Sequence, residues 1–310
     1  MTVAPYHDGE LLVQARAGVV REAAKVGAIL RDTVPPAARA FIAGREMLVV
    51  ASVAPGGAVW ASILAGSPGF AVATGDRAVR IDAAPAPDDP LGDSLRAGAS
   101  VPLGLLAIEF ATRRRMRLNG AGRLTPGGAI EVEAAQVYSN CPKYIQARAV
   151  EPRPNAPRPT AVSDAGALTE AQRHWVEAAD TFFIASAHPT GGADASHRGG
   201  RPGFLRAPGP DRLRFPDYPG NNMYNTLGNL AVHPAVGMLL LDFENGRTLQ
   251  LTGTASVRWG DHAGDAPRRP DPPRWVDVRI HRVIETADAV PWRYPLLEPS
   301  PFNPPVAAIE

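Results

Sequence analysis

The 310 residues carry 32 Lys and Arg against 31 Asp and Glu, a formal net charge of +1, with 45% hydrophobic and 20% charged residues. That balance argues against a general nucleic-acid or acidic-partner surface, and no apolar run reaches the ~18 residues a membrane span requires. The length suits two ordinary domains, and the single cysteine, Cys141, rules out an intrachain disulfide and fits a reducing cytoplasm.

The N-terminal MTVAPYHDGELL has neither a basic n-region nor an apolar core, so a secretory signal is not expected. Residues 9–31 read as one amphipathic helix with Asp8 as N-cap and Leu12, Ala15, Val19, Ala23, Val26 and Leu30 on one face. Pro35-Pro36 opens a short helix to about Gly44 by pre-setting φ in its first turn. Strand is expected over Met47–Val53, followed by the turn Pro55-Gly56-Gly57, and again over Gly104–Phe110, Arg115–Gly120 and Ile130–Val137. The segment Glu151–Ala161, with four prolines, reads as an extended linker.

Beyond the linker the pattern recurs. Thr169-Glu170-Ala171-Gln172 is a capping box, and Phe182–Ala187 is a strand closed by the turn Thr190-Gly191-Gly192. Gly237–Phe243, Thr248–Gly253 and Val276–Val283 complete the set, with Asp261–Arg274 an aperiodic, proline-rich inserted loop. Ser52, Ser62 and Pro68-Gly69-Phe70 reappear 134 residues later as Ser186, Ser196 and Pro202-Gly203-Phe204. Gly104–Phe110 and Leu118-Asn119-Gly120 reappear at a shift of 133. A nearly constant shift over such a distance marks a duplicated domain, since two copies cannot make a solenoid. Each copy should hold five to six short strands, a closing barrel and a helix.

The chemistry concentrates in residues 193–229. Asp194, Ser196, His197, Arg198, Asp217, Asn221, Asn222, Asn225 and Asn229 surround glycines 199, 200, 203 and 220. Such donors, with glycines that allow close backbone approach, suit a phosphorylated, hydrogen-bonding ligand; the alternative is a polar loop rich in turn residues.

The stretches ASxHPxGGADASHRGGRPGF, FPDYPGNNMYNTLGNL and HPAVGMLLLDF resemble the FMN-binding split-barrel family of pyridoxamine 5′-phosphate oxidase. YHDGELLVQARAG, SNCPKYIQAR and LLEPSPFNPP are similar to its tandem, flavin-nucleotide-binding branch, so the resemblance spans nearly the whole chain. It implies a mainly β fold with flanking helices, in which two tandem FMN-binding split β-barrels form an intrachain pseudo-dimer. The expected division is residues 1–150 (N-terminal helix and degenerate barrel), 151–161 (linker) and 162–310 (FMN-binding barrel). The wider family includes oxidases, reductases, haem-degrading proteins and deazaflavin binders, so the resemblance does not name a substrate.

By resemblance, Asp194, Ser196, Arg198, Gly199, Asp217, Tyr218, Gly220, Asn221, Asn222 and Asn225 would hold phosphate and ribityl chain. A glycine turn leading into a helix N-terminus is a natural phosphate cradle. The family's oxidases place basic residues in that turn, where this chain has Asn221, Asn222 and Met223. Copy one offers RRRMR instead: on a strand Arg113, Arg115 and Arg117 share a face and would reach the phosphate across the interface. The alternative for this cluster is a charge-blunted edge strand. Lys143 and Tyr144 are further partner-supplied contacts, or plain strand-end packing. His197 is the expected catalytic residue, a proton donor beside the flavin with a pKa near neutrality, or an axial ligand if the cleft handles haem.

Copy one has Ile63 and Leu64 where copy two has His197 and Arg198, and the acidic DAAPAPDDPLGDS where copy two has PDYPGNN. One flavin per chain is therefore expected. No metal is expected: a zinc set of Asp194, His197, His188 and Cys141 lacks paired ligand spacing. GxSxG, P-loop and strand–helix GxGxxG motifs are absent from the sequence. The expected activity is FMN-dependent oxidoreduction of a small molecule with an electron donor or acceptor, without nucleic acid or membrane, in a cytoplasmic protein that can pair as a homodimer. The alternative is a non-catalytic flavin-binding or haem-handling protein.

Overall fold

The computed structural model describes residues 5–96, 99–260 and 274–306. Two helices, α1 (Asp8–Arg16) and α2 (Val20–Gly27), replace the single helix expected over 9–31. The chain turns between them at Gly18, whose φ of +70° is left-handed. His7, not Asp8, caps α1: its ring accepts the Glu10 amide while the Glu10 carboxylate accepts the His7 amide. α3 (Pro36–Ala43) starts on its proline as expected.

The first sheet contains β1 (Met47–Val53), β2 (Val59–Ala65), β3 (Ala71–Ala73), β4 (Ala78–Ile81), β5 (Val101–Glu109), β6 (Arg114–Leu124) and β7 (Ile130–Ser139), with α4 (Pro90–Arg96) before β5. After β8 (Ala147–Arg148), β9 (Glu151–Pro152), β10 (Thr160–Ala165) and α5 (Glu170–Ala178) comes the second set. It comprises β11 (Thr181–His188), β12 (Gly192–Gly199), β13 (Arg206–Gly209), β14 (Arg212–Pro216), α6 (Asn225–Val232), β15 (Ala235–Leu241), β16 (Thr248–Trp259) and β17 (Arg274–Ala287). Two short strands, β18 (Trp292–Arg293) and β19 (Leu296–Glu298), follow.

Strand order runs β2-β1-β5-β6-β7-β4-β3 in one sheet and β12-β11-β15-β16-β17-β14-β13 in the other, so the duplication is complete in topology. Each barrel has seven strands along this path rather than five or six. The strands missed by sequence are the short β3–β4 and β13–β14 pairs, too brief to show a period. Both barrels carry a bulge at the same place, between Asn119 and Gly120 and between Thr252 and Gly253. Past the bulge Gly120 pairs with Ala134 and Gly253 with Ile280, so β7 and β17 correspond across an insertion in the second copy. The loop expected at Asp261–Arg274 lies outside the described residues, apart from Arg274, which begins β17.

The linker is tied down rather than free: β9 pairs with β18, and β10 pairs with β17. The terminal segments cross over. α1 packs on α6 of the second barrel, while β19 pairs with β8 at the end of the first.

Each barrel has its own apolar core, and a third cluster lies between them. This shared core joins Val49, Ala61, Leu106 and Phe110 of the first copy to Phe183, Ala195 and Leu239 of the second. The two sheets approach so closely that a Cβ at Gly104 would lie 2.5 Å from the Ala193 carbonyl oxygen, and one at Gly237 2.6 Å from the Trp60 Cα. These glycines are 133 residues apart and mark the same crossing seen from both sides. The chain is thus an intrachain pair of split barrels, and no described helix is long and apolar enough to cross a membrane.

Candidate functional site

β6 of the first barrel lies across β12 of the second, and side chains two residues apart on β6 meet β12 in turn. Arg115 donates through Nη1 to His197 Nδ1 at 3.2 Å. Arg117 donates to the Ser196 hydroxyl, to Asn225 Oδ1 at 3.1 Å and to Tyr138 Oη at 3.2 Å. Asn119 donates to Asp194 Oδ1 at 2.6 Å. Arg113 does not join this face. β6 begins at Arg114, and Arg113 sits in the preceding turn at φ +55°, donating to Glu298 at 2.7 Å and to the Ile145 carbonyl at 3.1 Å. The alternation expected on a strand fails there because the strand has not yet started.

A single cleft collects most of the expected residues: Arg115, Lys143, Tyr144, His197, Arg198, Gly199, Asp217, Tyr218, Gly220, Asn221, Asn222 and Asn225 all line it. Asp194 and Ser196 lie behind the wall. Asp194 accepts from Asn229 at 2.8 Å, and Ser196 bonds Thr226 as well as Arg117. Arg117, expected on the face of Arg115, lines the cleft too, and so do Asn140, Cys141, Tyr224 and Thr226, which carried no flavin-ligand assignment from sequence. Arg117 was legible from the alternation of RRRMR; Asn140 and Thr226 gave no signal.

The loop from Asp217 to Tyr224 is held by the Arg274 guanidinium on Asp217 at 2.8 Å and by the Met223 amide donating to Asn221 Oδ1 at 3.1 Å. Asn222 and Tyr224 both take φ of +62°, and across the cleft Tyr144 takes +68°. Left-handed non-glycine residues are uncommon, and three around one cleft indicate a shape imposed by the surroundings. Tyr144 closes the mouth: its hydroxyl donates to the Pro219 carbonyl at 2.9 Å, and its ring lies 5.2 Å from that of Tyr218. Gly199 makes room for this strap, since a Cβ there would meet the Tyr144 carbonyl oxygen at 1.9 Å.

The cleft is a crowded cationic space. Arg115 and Arg198 have no carboxylate within ion-pair distance among the described residues, while Arg117 lies 3.8 Å from Asp194. Burial, then the neighbouring Arg117 and Arg198, pull the Arg115 pKa down to about 9. Burial lowers that of Arg198 as well. Buried Nε atoms of Arg115 and Arg117 and Nε2 of His197 lack hydrogen-bond partners. α6 starts here with Tyr224 at its N-cap and no side-chain cap, leaving the positive end of the helix uncapped by protein. An anion is what this donor set lacks.

His197 departs from expectation. It is 3% exposed, and burial together with Arg115 and Arg198 holds its pKa well below the usual histidine value. Arg115 can only donate, so Nδ1 is the acceptor and the proton sits on Nε2. Burial and these two cations disfavour the charged imidazolium, which places its pKa below the near-neutral value expected.

The residues considered for zinc do not converge. The metal-sized group among the described residues is His7, Asp8 and His188 instead. There the His188 Nδ1 accepts the Gly191 amide at 2.8 Å, so its Nε2 carries the proton it shares with Asp8 at 2.8 Å. No lone pair of that ring is left for a cation. This bridge fixes α1 on the second barrel, and from α1 Glu10 accepts a hydrogen bond from Asn225 behind the cleft.

The pseudo-symmetric position in the first barrel is sealed. Ser62 corresponds to Ser196 and Gln250 to Arg117, by shifts of 134 and 133. Between them sits Asp89, which accepts from Ser62 at 2.6 Å, from Gln250 at 3.1 Å and from the Leu91 amide at the start of α4 at 2.8 Å. A carboxylate of the protein stands where the second barrel leaves a helix start open.

Residues 168–286 match the family model described as pyridoxamine 5′-phosphate oxidase. The match falls on the second barrel. Among solved structures, the chain is similar to the H111A variant of HupZ from Group A Streptococcus, at 11% identity over 38% of this chain and 98% of that one, with a TM-score of 0.30. It is similar to a candidate pyridoxamine 5′-phosphate oxidase from Lactobacillus delbrueckii at 16% identity over 40% and 97%, with a TM-score of 0.31. An F420 reductase aligns at 16% identity over 36% and 93%, with a TM-score of 0.26. No curated protein matches the chain.

Proposed function

We propose that this chain is an FMN-dependent oxidoreductase acting on a small molecule, with one flavin held between its two barrels. The observation that carries the reading is the convergence of Arg115 and Arg117 from β6 and Arg198 from β12 on the uncapped start of α6. Arg115 and Arg198 lack a carboxylate within ion-pair distance among the described residues, and the unpartnered Nε atoms of Arg115 and Arg117 fit the oxygens of a phosphate. The cleft is narrow, with about 90 Å³ of open volume among these groups. The ribityl chain and ring would lie toward the mouth, beside Asn221, Asn222, Tyr218 and Tyr144, with the Tyr144 strap moved aside.

Bound FMN would supply hydride transfer between a reductant and a small acceptor or dioxygen. The protein's part is to bind and orient it. Arg115, Arg117 and Arg198 would hold the phosphate, the side-chain amides of Asn221, Asn222 and Asn225 offer bonds to hydroxyls, and Lys143 stands at the mouth. Neutral His197 presents Nε2–H as a hydrogen-bond donor rather than a source of charge.

The test is the visible spectrum of the purified protein and an FMN titration of the apoprotein. Flavin absorption with saturable binding, weakened in R115A and R198A, supports the reading. A Soret band, or FMN affinity unchanged in both variants, overturns it. Anaerobic titration with nicotinamide nucleotides then separates a catalyst from a carrier: reduction of the bound flavin is expected.

A further inference from the structure

A second cavity, about 530 Å³, adjoins the cleft, sharing Arg115 and Asn140 with it, and is lined entirely by residues of the first copy. It is bounded by the end of α2, by α3, and by the adjoining ends of β6 and β7. Its floor is the first barrel's own core, through Phe41, Met116 and Val137. The volume exists because α3 presents Ala37 and Ala38 at this wall, where larger side chains would fill it. Ile29 adds an exposed apolar edge, at 44% exposure. The size falls within the range of small-molecule sites.

The charge of the lining is one-sided. Arg31, Arg113, Arg114 and Arg115 border the cavity, and no Asp or Glu does. Arg113 is spent on Glu298, and Arg115 faces the cleft. Arg31 and Arg114 have no carboxylate within ion-pair distance among the described residues, and the Arg114 guanidinium lies 5.1 Å over the Phe41 ring. Two exposed guanidinium groups over an apolar floor match a ligand with a flat hydrophobic body and one anionic group.

We propose that this cavity is a binding site for small amphipathic anions, such as aromatic carboxylates or sulfonates. The proposal stands on the first barrel alone and does not depend on a flavin in the cleft. It gives the barrel that has lost the phosphate cradle a ligand site of its own.

The probe is 8-anilinonaphthalene-1-sulfonate, with N-phenyl-1-naphthylamine as its uncharged counterpart, read by fluorescence titration of the full-length protein. Saturable binding of one sulfonate per chain is expected, at least tenfold tighter than the neutral amine. The R31A/R114A double variant, altered only at exposed positions, should lose at least tenfold in sulfonate affinity and leave the amine unchanged. A38W should abolish both while R198A, which alters the cleft, affects neither. Equal affinity for the two probes overturns the proposal. So does loss of sulfonate binding in R198A with retention in R31A/R114A, which would place the probe in the cleft.

Discussion

Gln250 of the second barrel donates to Asp89 of the first at 3.1 Å, and Arg117 of the first donates to Asn225 of the second at the same distance. These are the same contact on opposite sides of the pseudo-twofold axis, with the charge reversed. On one side the protein brings its own carboxylate; on the other it brings a guanidinium and leaves the anion to a ligand.

One FMN per chain should follow, because Asp89 fills the counterpart site and is tied to Ser62, Gln250 and the Leu91 amide. Flavin absorbance against protein mass checks it. Two flavins per chain would show that Asp89 is displaced rather than built in.

R198A and R115A should each weaken FMN by about 1.5–3 kcal/mol, the range for hydrogen bonds to charged groups, which is roughly ten- to a hundred-fold in Kd. R113A should leave Kd unchanged, since Arg113 is engaged by Glu298 outside the cleft. Equilibrium titration of the three variants separates the two sets.

Y144F removes the hydroxyl that holds the strap to Pro219. A neutral hydrogen bond contributes about 0.5–1.5 kcal/mol, so FMN exchange should speed up by roughly two- to tenfold. Release is measured as recovery of free-flavin fluorescence after dilution. An unchanged rate would mean that Tyr144 does not gate the mouth.

Burial, then the nearby Asp194, push the Glu10 pKa up to about 8. The folded state therefore binds a proton on Glu10 that the unfolded state has lost, between pH ~4.5 and ~8. Stability from this group is fully present below the unfolded pKa and declines as pH rises through the folded one. E10Q keeps a neutral side chain and should flatten the fall in stability between pH ~5 and ~8, as denaturant titrations would record. A pH slope identical to that of the parent would remove Glu10 as its source.

The second barrel expressed alone, from residue 162, should self-associate and fail to retain FMN. It would expose its half of the core shared by Phe183, Ala195 and Leu239 with Val49, Ala61 and Leu106, and it lacks Arg115 and Arg117. Light scattering and the visible spectrum test both parts. A monomeric fragment that stays yellow would assign the whole site to one barrel.

The sequence by itself determined the duplication, since Ser52, Ser62 and Gly104 recur at a nearly constant shift as Ser186, Ser196 and Gly237. It also determined the long strands, the Thr169 capping box and most of the cleft lining, because period, caps and donor clusters are local signals written in consecutive residues. The tertiary structure alone decided which arginines enter the cleft. Strand alternation admits Arg113 with Arg115 and Arg117, but the turn before β6 ends on Arg113 and sends it to Glu298. It also decided the state of His197: an imidazole's pKa depends on burial and on charges brought from 82 residues away, here Arg115. The same holds for Asp89. In sequence it is one acidic residue of a proline-rich loop, and only the crossing of the two barrels makes it the anion that closes the other site.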